Sequence, residues 1–363
     1  MIDTLRLAQG QRLIAISDVH GHIQLLHALL DQVRYCEDDA LVFLGDYIER
    51  GAHSLPVLEF VARLFAARPQ NVRLLLGNWE LYILSAIEKG DCALLYKNRQ
   101  RLLARAGNTL YGEMCARVGM DSSSEAAMRA AHPKVMEHFG ALIRFFLARP
   151  LVLDAGEMVF VHGGLPHGDL AALDASHPYR YLKCDDFFQQ ETAFERTVVV
   201  GHMPTVNARP RVPCALPYFN PRRNVIGIDG GCGVKRSGQL NALLWRDGVF
   251  SCACVHDGAL PAVRAKSAQA ESKNSLNVHY FEPLHVLSRE GALARVRHEA
   301  TGRVLWAATD GIWQEDGRDH TETTDFALGV EVGDLLQVVR QTPRGLLAQK
   351  NGVTGWYYGA WEA

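Results

Sequence analysis

The stretch RLIAISDVHGH, Arg12 to His22, decides how the rest of the chain is read. RLIAIS (12–17) is an apolar run of strand character, and a helical pattern follows from His22 to about Tyr35. ALVFLG (40–45) and VRLLLG (72–77) repeat the theme, with a helical stretch from Ser54 to Ala67 between them. Strand, helix, strand, helix, strand implies parallel strands whose C-terminal loops open on one edge. Sites in such sheets form at that edge.

The rest of the chain sets the organisation. With 363 residues there is room for one large domain and a small one. The 48% hydrophobic and 21% charged composition is that of a soluble globular protein. A net charge of -2 gives no electrostatic reason to expect nucleic acid or an acidic membrane as partner. No stretch is long enough to span a bilayer, and the opening MIDTLRLAQGQRL lacks the apolar core of a cleavable leader, so a cytoplasmic location is expected. The eight cysteines show no CxxC spacing and are expected to be reduced and mostly buried. Cys252 and Cys254 would share one face of a strand, a pair that suits packing better than metal.

Residues 81–149 read as a helical insert, with SSSE (122–125) at capping-box spacing before its last helix. LVLDAGEMVFVHGG (151–164) reads as two strands around Gly156, and TVVVGH, NVIGIDGG, LNALLW and VFSCACV continue as strands. Residues 257–276 are polar and unpatterned, as a linker is. From 277 to 363 short alternating segments predict a small all-β barrel. The division expected is therefore a catalytic domain over 1–256, a linker, and a β domain over 277–363.

Asp18, His20, Asp46, Asn78, His162 and His202 all stand at or beside the C-terminal end of an apolar run, with Gly21, Gly45, Gly77 and Gly163 among their neighbours. Two aspartates, three histidines and an asparagine mix hard oxygen with imidazole nitrogen, which suits zinc, manganese or iron. So large a set, with a carboxylate free to bridge, suits two ions about 3.5–4 Å apart.

SDVHGH, GDYIERG, GNWE, VHGGL and VVVGHMP, in that order, resemble the signature of the calcineurin-like metallophosphoesterases, in their phosphoprotein-phosphatase branch. The ending IGIDGGCGVKRSGQLNALLW is similar to the bacterial diadenosine-tetraphosphatase-like members. The resemblance covers about residues 12–245. It implies an α/β fold, a metallophosphoesterase β-sandwich flanked by helices, with the tail resembling an SH3-like domain. It also implies that Asp18, His20 and Asp46 hold one ion and that Asp46 bridges to a second held by Asn78, His162 and His202. Arg50 would grip the phosphoryl oxygens. Manganese is the ion expected, with iron, zinc, cobalt or nickel as alternatives, and the nucleophile would be a metal-bridging hydroxide.

The departure from the family lies in GNWE (77–80). The family carries its general-acid histidine at the place of Trp79, and the aspartate partnering that histidine appears here as Glu49. An indole N–H donates a hydrogen bond but does not give up its proton at accessible pH. Three functions stay open. The chain could be a phosphoesterase or pyrophosphohydrolase (a metal-dependent hydrolase) acting on leaving groups that need little protonation. It could use the same dimetal centre on a non-phosphate or otherwise unusual substrate. It could be a metal-binding pseudo-phosphatase acting as a scaffold. Substrates in view are phosphorylated small molecules, nucleotides or peptides, with a peptide or protein contact through the β tail. Trp79 is either a substrate-facing wall or a core filler. Glu49 could accept its indole N–H, His53 could replace the acid, and Asp229 could support a ligand histidine or form a turn. His22, like His53, lies near the site in sequence. His167 reads as a surface residue.

Overall fold

The computed structural model describes residues 2–103, 108–256 and 260–362. The chain divides into two compact units, Met1–Pro204 with Pro217–His256, and Thr205–Leu216 with Asp257–Ala363.

In chain order the first unit runs β1 (Ile2–Thr4), β2 (Leu13–Ile16), α1 (Ile23–Gln32), β3 (Ala40–Phe43), α2 (Ser54–Ala67) and β4 (Val72–Leu74). Four helices follow, α3 (Asn78–Lys89), α4 (Cys92–Leu103), α5 (Leu110–Arg117) and α6 (Glu125–Leu147). The chain then continues through β5 (Val152–Asp154), β6 (Met158–Val161), α7 (Tyr179–Leu182), β7 (Thr197–Val200), β8 (Tyr218–Asn220), β9 (Val225–Gly227), β10 (Gln239–Arg246) and β11 (Val249–His256). One sheet has the order β11-β10-β2-β3-β4 and the other β1-β5-β6-β7-β9-β8.

Side-chain alternation explains why these strands pack as a sandwich. Leu13, Ala15, Ala40 and Val42 share one core with Phe160, Val199 and Ile226 of the other sheet. Their neighbours Ile14, Ile16, Leu41 and Phe43 point the other way, into a cluster with Leu26, Leu58, Ile83 and Phe146 of the helices. Val159, Val161, Val198 and Val200 pack outward on Tyr181, Leu182 and Phe187. Strands buried on both faces read as unbroken apolar runs, which is why β2 and β3 stand out in the sequence.

β2, β3 and β4 are parallel, as are β6, β7 and β9. Each trio therefore sends its chain out at its C-terminal end. The helical stretch reaches further back than 81, because Asn78 and Trp79 are already the first turn of α3. At the start of α6 the capping side chain is Ser124, which accepts from Ala127 N, and not Ser122. Of the eight free cysteines only Cys92, Cys115 and Cys232 are buried, fewer than expected. Cys252 is exposed and Cys254 half-buried on β11, an edge strand, and they join no ligand cluster among the described residues.

The second unit is all β, but its layout differs from the reading of the sequence. Of the linker expected over 257–276, residues 257–259 lie outside the described residues, and the described part is not a free linker. Residues 262–265 pair with 335–337 and 361–362, and Gln269 Nε2 donates to the carbonyls of Leu328 and Trp356 at 2.9 and 2.7 Å. Backbone pairing holds this segment, so its side chains carry little apolar signal. In place of one small barrel the described residues form two five-stranded antiparallel sheets and a two-stranded one (277–278 with 323–324), with separate apolar clusters around Phe326, Leu336 and Tyr357 and around Leu284, Val296 and Leu305. Residues 205–216 belong here too. Asn277 Nδ2 holds the carbonyls of Val206 and Arg209, and Ser275 Oγ holds that of Arg211.

Candidate metal centre and pocket

Asp18, Asp46 and Asn78 follow β2, β3 and β4, while His162 and His202 follow β6 and β7. His20 completes the loop after β2. Asp18, His20, Asp46 and His202 all adopt positive φ, between 46° and 63°. Such backbone is uncommon for residues with a Cβ, and it gathers where a site demands it. Gly201 and Gly77 make the approach possible. A Cβ on the first would overlap Ser17 Oγ and the Asp18 carboxylate, and one on the second would overlap the backbone and carboxylate of Asp46.

All six candidate ligands converge. Asp18, His20 and Asp46 form one group of potential ligand atoms within 4.8 Å of one another, and Asp46, His162 and His202 form another. Asp46 divides its oxygens between them, with Oδ2 at 3.7 Å from His20 Nε2 and Oδ1 at 3.4 Å from His162 Nε2. Asn78 Oδ1 stands 3.0 Å from His162 Nε2 and 2.9 Å from His202 Nδ1.

The donor set fits two cations. Each imidazole has one nitrogen facing an oxygen outside the cluster: His20 Nδ1 the carbonyl of Ile48 at 3.0 Å, His162 Nδ1 that of Leu44 at 3.0 Å, and His202 Nε2 the Asp185 carboxylate at 2.7 Å. With an N–H donated there, the other nitrogen turns a lone pair inward. Lone pair then faces lone pair across the cluster, an arrangement that needs a positive charge between them. Asp18 Oδ1 is buried with no hydrogen-bond partner, while Oδ2 accepts from His202 N–H at 2.9 Å. A proton can stand in for an ion at His162. Burial opposes its charging, yet Asp46 pushes its pKa up to about 9. His20 moves the other way, to about 4, because burial outweighs Asp46.

Three further buried carboxyls surround the centre. Glu80 accepts the N–H groups of Asp46 and Tyr47, both at 2.8 Å, and of Gly77 at 3.1 Å, so it ties the β3 loop to the start of α3. Burial and then the Asp46 charge push Glu80 up to about 8. The Asp229 carboxylate accepts from Gly231 N at 2.7 Å and shapes the IDGG turn, the turn-forming reading, without touching a ligand histidine. Burial and the nearby Asp18 hold its pKa well above the carboxylate range.

Glu49 does not meet the indole. Its oxygens accept from Leu110 N at 3.1 Å and Asn98 Nδ2 at 3.2 Å, both in the helical insert, and its backbone has positive φ. Burial raises Glu49 to about 7. His53 is solvent-exposed just before α2 and does not line the cavity over the centre, so it does not replace the proton donor there, and His22 Nδ1 lies 2.7 Å from the carbonyl of His20. His167 is exposed, as expected.

A cavity of about 480 Å³ opens over the centre, with Arg50, Trp79, Tyr82, Arg101, Tyr179 and Lys183 around the ligands. Trp79 is both wall and filler. It is 7% exposed within the helix-side apolar cluster, meets His20 and Tyr82 edge-on at 6.5 and 6.2 Å, and still lines the cavity. Arg50 and Arg101 both lie over its ring, with Cζ at 5.1 and 5.4 Å from the centroid. The sequence reading missed Arg101, Lys183 and Asp185. Arg101 sits in KNRQR and the other two in KCDD, which read as ordinary solvated charge.

The calcineurin-like phosphoesterase family model matches residues 11–225, more than half of the chain. The chain belongs to this family. Calcineurin-like phosphoesterases are dinuclear metal-dependent enzymes, in keeping with the two groups sharing Asp46. The chain is similar to the symmetrical bis(5'-nucleosyl)-tetraphosphatase of Erwinia tasmaniensis, 45% identical over 71 residues, which is 19% of this chain and 24% of that one. The Proteus mirabilis protein of the same name is 41% identical over 75 residues, 20% and 26% of the two chains. The match thus spans about a quarter of the curated relatives' length. Among solved structures, the cold-active protein-tyrosine phosphatase of a Shewanella species is 18% identical with a TM-score of 0.42, covering 70% of this chain and 82% of that one. A protein serine/threonine phosphatase of Saccharomyces cerevisiae is 14% identical with a TM-score of 0.45, covering 72% and 85%. No helix among the described residues is long and apolar enough to cross a membrane.

Proposed function

We propose that this chain is a dinuclear-metal phosphoesterase or pyrophosphohydrolase that cleaves bonds whose leaving group departs without a proton from the protein. The observation that carries the reading is Trp79, a wall of the cavity beside His20 where the side chain has no proton to give. Asp18, His20 and Asp46 would hold one ion, and Asp46, Asn78, His162 and His202 the other. Bound there, two divalent ions supply a water acidic enough to attack near neutral pH and neutralise charge on phosphorus. Arg50, a permanently charged fork, would hold the phosphoryl oxygens and gain most as charge builds on them. The imidazoles are fixed by Ile48, Leu44 and Asp185, so little reorganisation is needed. Loss of general acid catalysis costs about 10²–10⁴-fold, most for poor leaving groups. Anhydrides and aryl esters are therefore favoured, and the tetraphosphatase names of the relatives support a nucleotide.

Manganese is the ion and the cytoplasm the location in this reading. The C-terminal β unit would serve as an SH3-like peptide or protein contact. A metal count and a hydrolysis screen test the proposal. Two ions per chain and turnover of anhydrides and p-nitrophenyl phosphate ahead of alkyl phosphates are expected. A protein carrying two ions that hydrolyses alkyl phosphates fastest, or no phosphate compound at all, overturns it.

A further inference from the structure

Arg50 and Arg101 rest against one indole, and they come from different parts of the chain. Arg50 belongs to the loop after β3, and Arg101 lies on α4 of the helical insert. Arg101 makes no ion pair with a carboxylate among the described residues, and its side chain reaches the cavity from an exposed position. Two like charges beside one ring repel, and a ligand that brings negative charge between them is favoured there. Lys183 adds a third cation to the lining, although Asp185 neutralises it.

The support for Arg101 is specific. Glu49 accepts from Asn98, one helical turn before Arg101 on α4, and from the first N–H of α5. The buried carboxyl therefore fixes the helix that carries Arg101, and Trp79 gives the guanidinium a face to lie on. These are the two positions at which the sequence departs from its family.

We infer that Arg101 takes up the phosphate that leaves when a phosphoanhydride is cleaved, and that Glu49 and Asn98 position it. This rests on the phosphohydrolase reading above and narrows it. In the step, a water oxygen bonds to the attacked phosphorus and the bridging P–O bond breaks. Its electron pair departs on the leaving phosphate, one water proton stays on the product phosphate, and the other passes to solvent. A leaving phosphate needs its new charge matched more than it needs a proton, and a guanidinium does that at any accessible pH. An alkoxide would need the proton that Trp79 does not supply.

The test compares ATP and p-nitrophenyl phosphate, whose leaving group carries no phosphate, on the metal-loaded full chain. Arg101→Ala should lower kcat/KM for ATP about 10- to 100-fold, the range of a charged hydrogen bond, and leave p-nitrophenyl phosphate within about threefold. Arg101→Lys should recover part of the loss. Asn98→Ala should lower the ATP rate selectively while metal content stays at two. Equal loss on both substrates, or none, overturns the inference and leaves the phosphohydrolase reading intact. Calorimetry with tripolyphosphate and orthophosphate gives a second readout. The wild type should prefer tripolyphosphate and Arg101→Ala should not. If no phosphate compound turns over, the phosphohydrolase reading falls and this preference alone decides Arg101. An unchanged preference in the variant overturns its role.

Discussion

Asp185 Oδ1 lies 2.7 Å from His202 Nε2, while the other nitrogen of the same ring lies 2.9 Å from Asn78 Oδ1. One contact fixes the tautomer that the other needs. Asp185→Ala should weaken binding of one ion about 10- to 100-fold and leave the other unchanged, because Asp18 and His20 do not touch Asp185. Competition against a chromogenic chelator measures both steps. Equal affinities in wild type and variant would mean that Asp185 does not orient the ligand.

Asp46 presents one oxygen to each group of ligands, and Asn78 serves only one. Asp46→Asn should therefore lower the metal content towards zero, and Asn78→Ala towards one. Elemental analysis after dialysis decides it, and identical stoichiometry in the two variants would rule out a bridging role for Asp46.

Trp79→His restores a proton donor to the wall. Activity on alkyl phosphates should rise relative to p-nitrophenyl phosphate, by up to about 10²-fold. Adding Glu49→Asp should not help, since the shorter side chain gives up its reach to Asn98 and Leu110, and the melting temperature should fall. Trp79→Phe should cost about 1 kcal/mol of stability through its lost contacts and also lower turnover, because the ring is packed and exposed to the cavity at once. Stability loss with unchanged turnover would leave only the packing role.

Burial pushes Glu113 up to about 7, although it accepts the N–H groups of Ser54 and Leu55 at the start of α2. A carboxyl raised from its ordinary 4.5 contributes stability that is complete below pH 4.5 and lost as pH rises through about 7. The stability of the wild type relative to Glu113→Gln should therefore decline across that window, by up to about 1.4 kcal/mol per pH unit. Urea unfolding from pH 4.5 to 7.5 measures the difference. Parallel curves would show that the carboxyl does not titrate differently on folding.

Ending the chain at 256 should not give a clean catalytic unit. Residues 205–216 would lose Asn277, Ser275 and the Gly352 carbonyl that accepts from Ala215 N. Proteolysis of the shortened chain should cut within 205–216, and replacing that segment by a short Gly/Ser loop should restore solubility. Resistance to protease at 205–216 in the shortened chain would contradict this division.

The sequence by itself determined the βα succession and which six candidate ligands stand at the sheet edge. Both follow from local rules: buried strands are unbroken apolar runs, and the residue that ends a parallel strand lies at the sheet edge whatever else the chain does. Asp18, His20, Asp46, Asn78, His162 and His202 were legible on that ground. Tertiary structure alone decided where side chains turn after they leave the strand. Glu49 faces Asn98 and the start of α5 and not Trp79, and Arg101 reaches the indole from α4, which that carboxyl holds. Asp185 finds His202, 17 positions on and past β7, and residues 205–216 pair with a segment about seventy residues on. Such contacts depend on long-range geometry, and charged or polar residues carry no periodic pattern that records it.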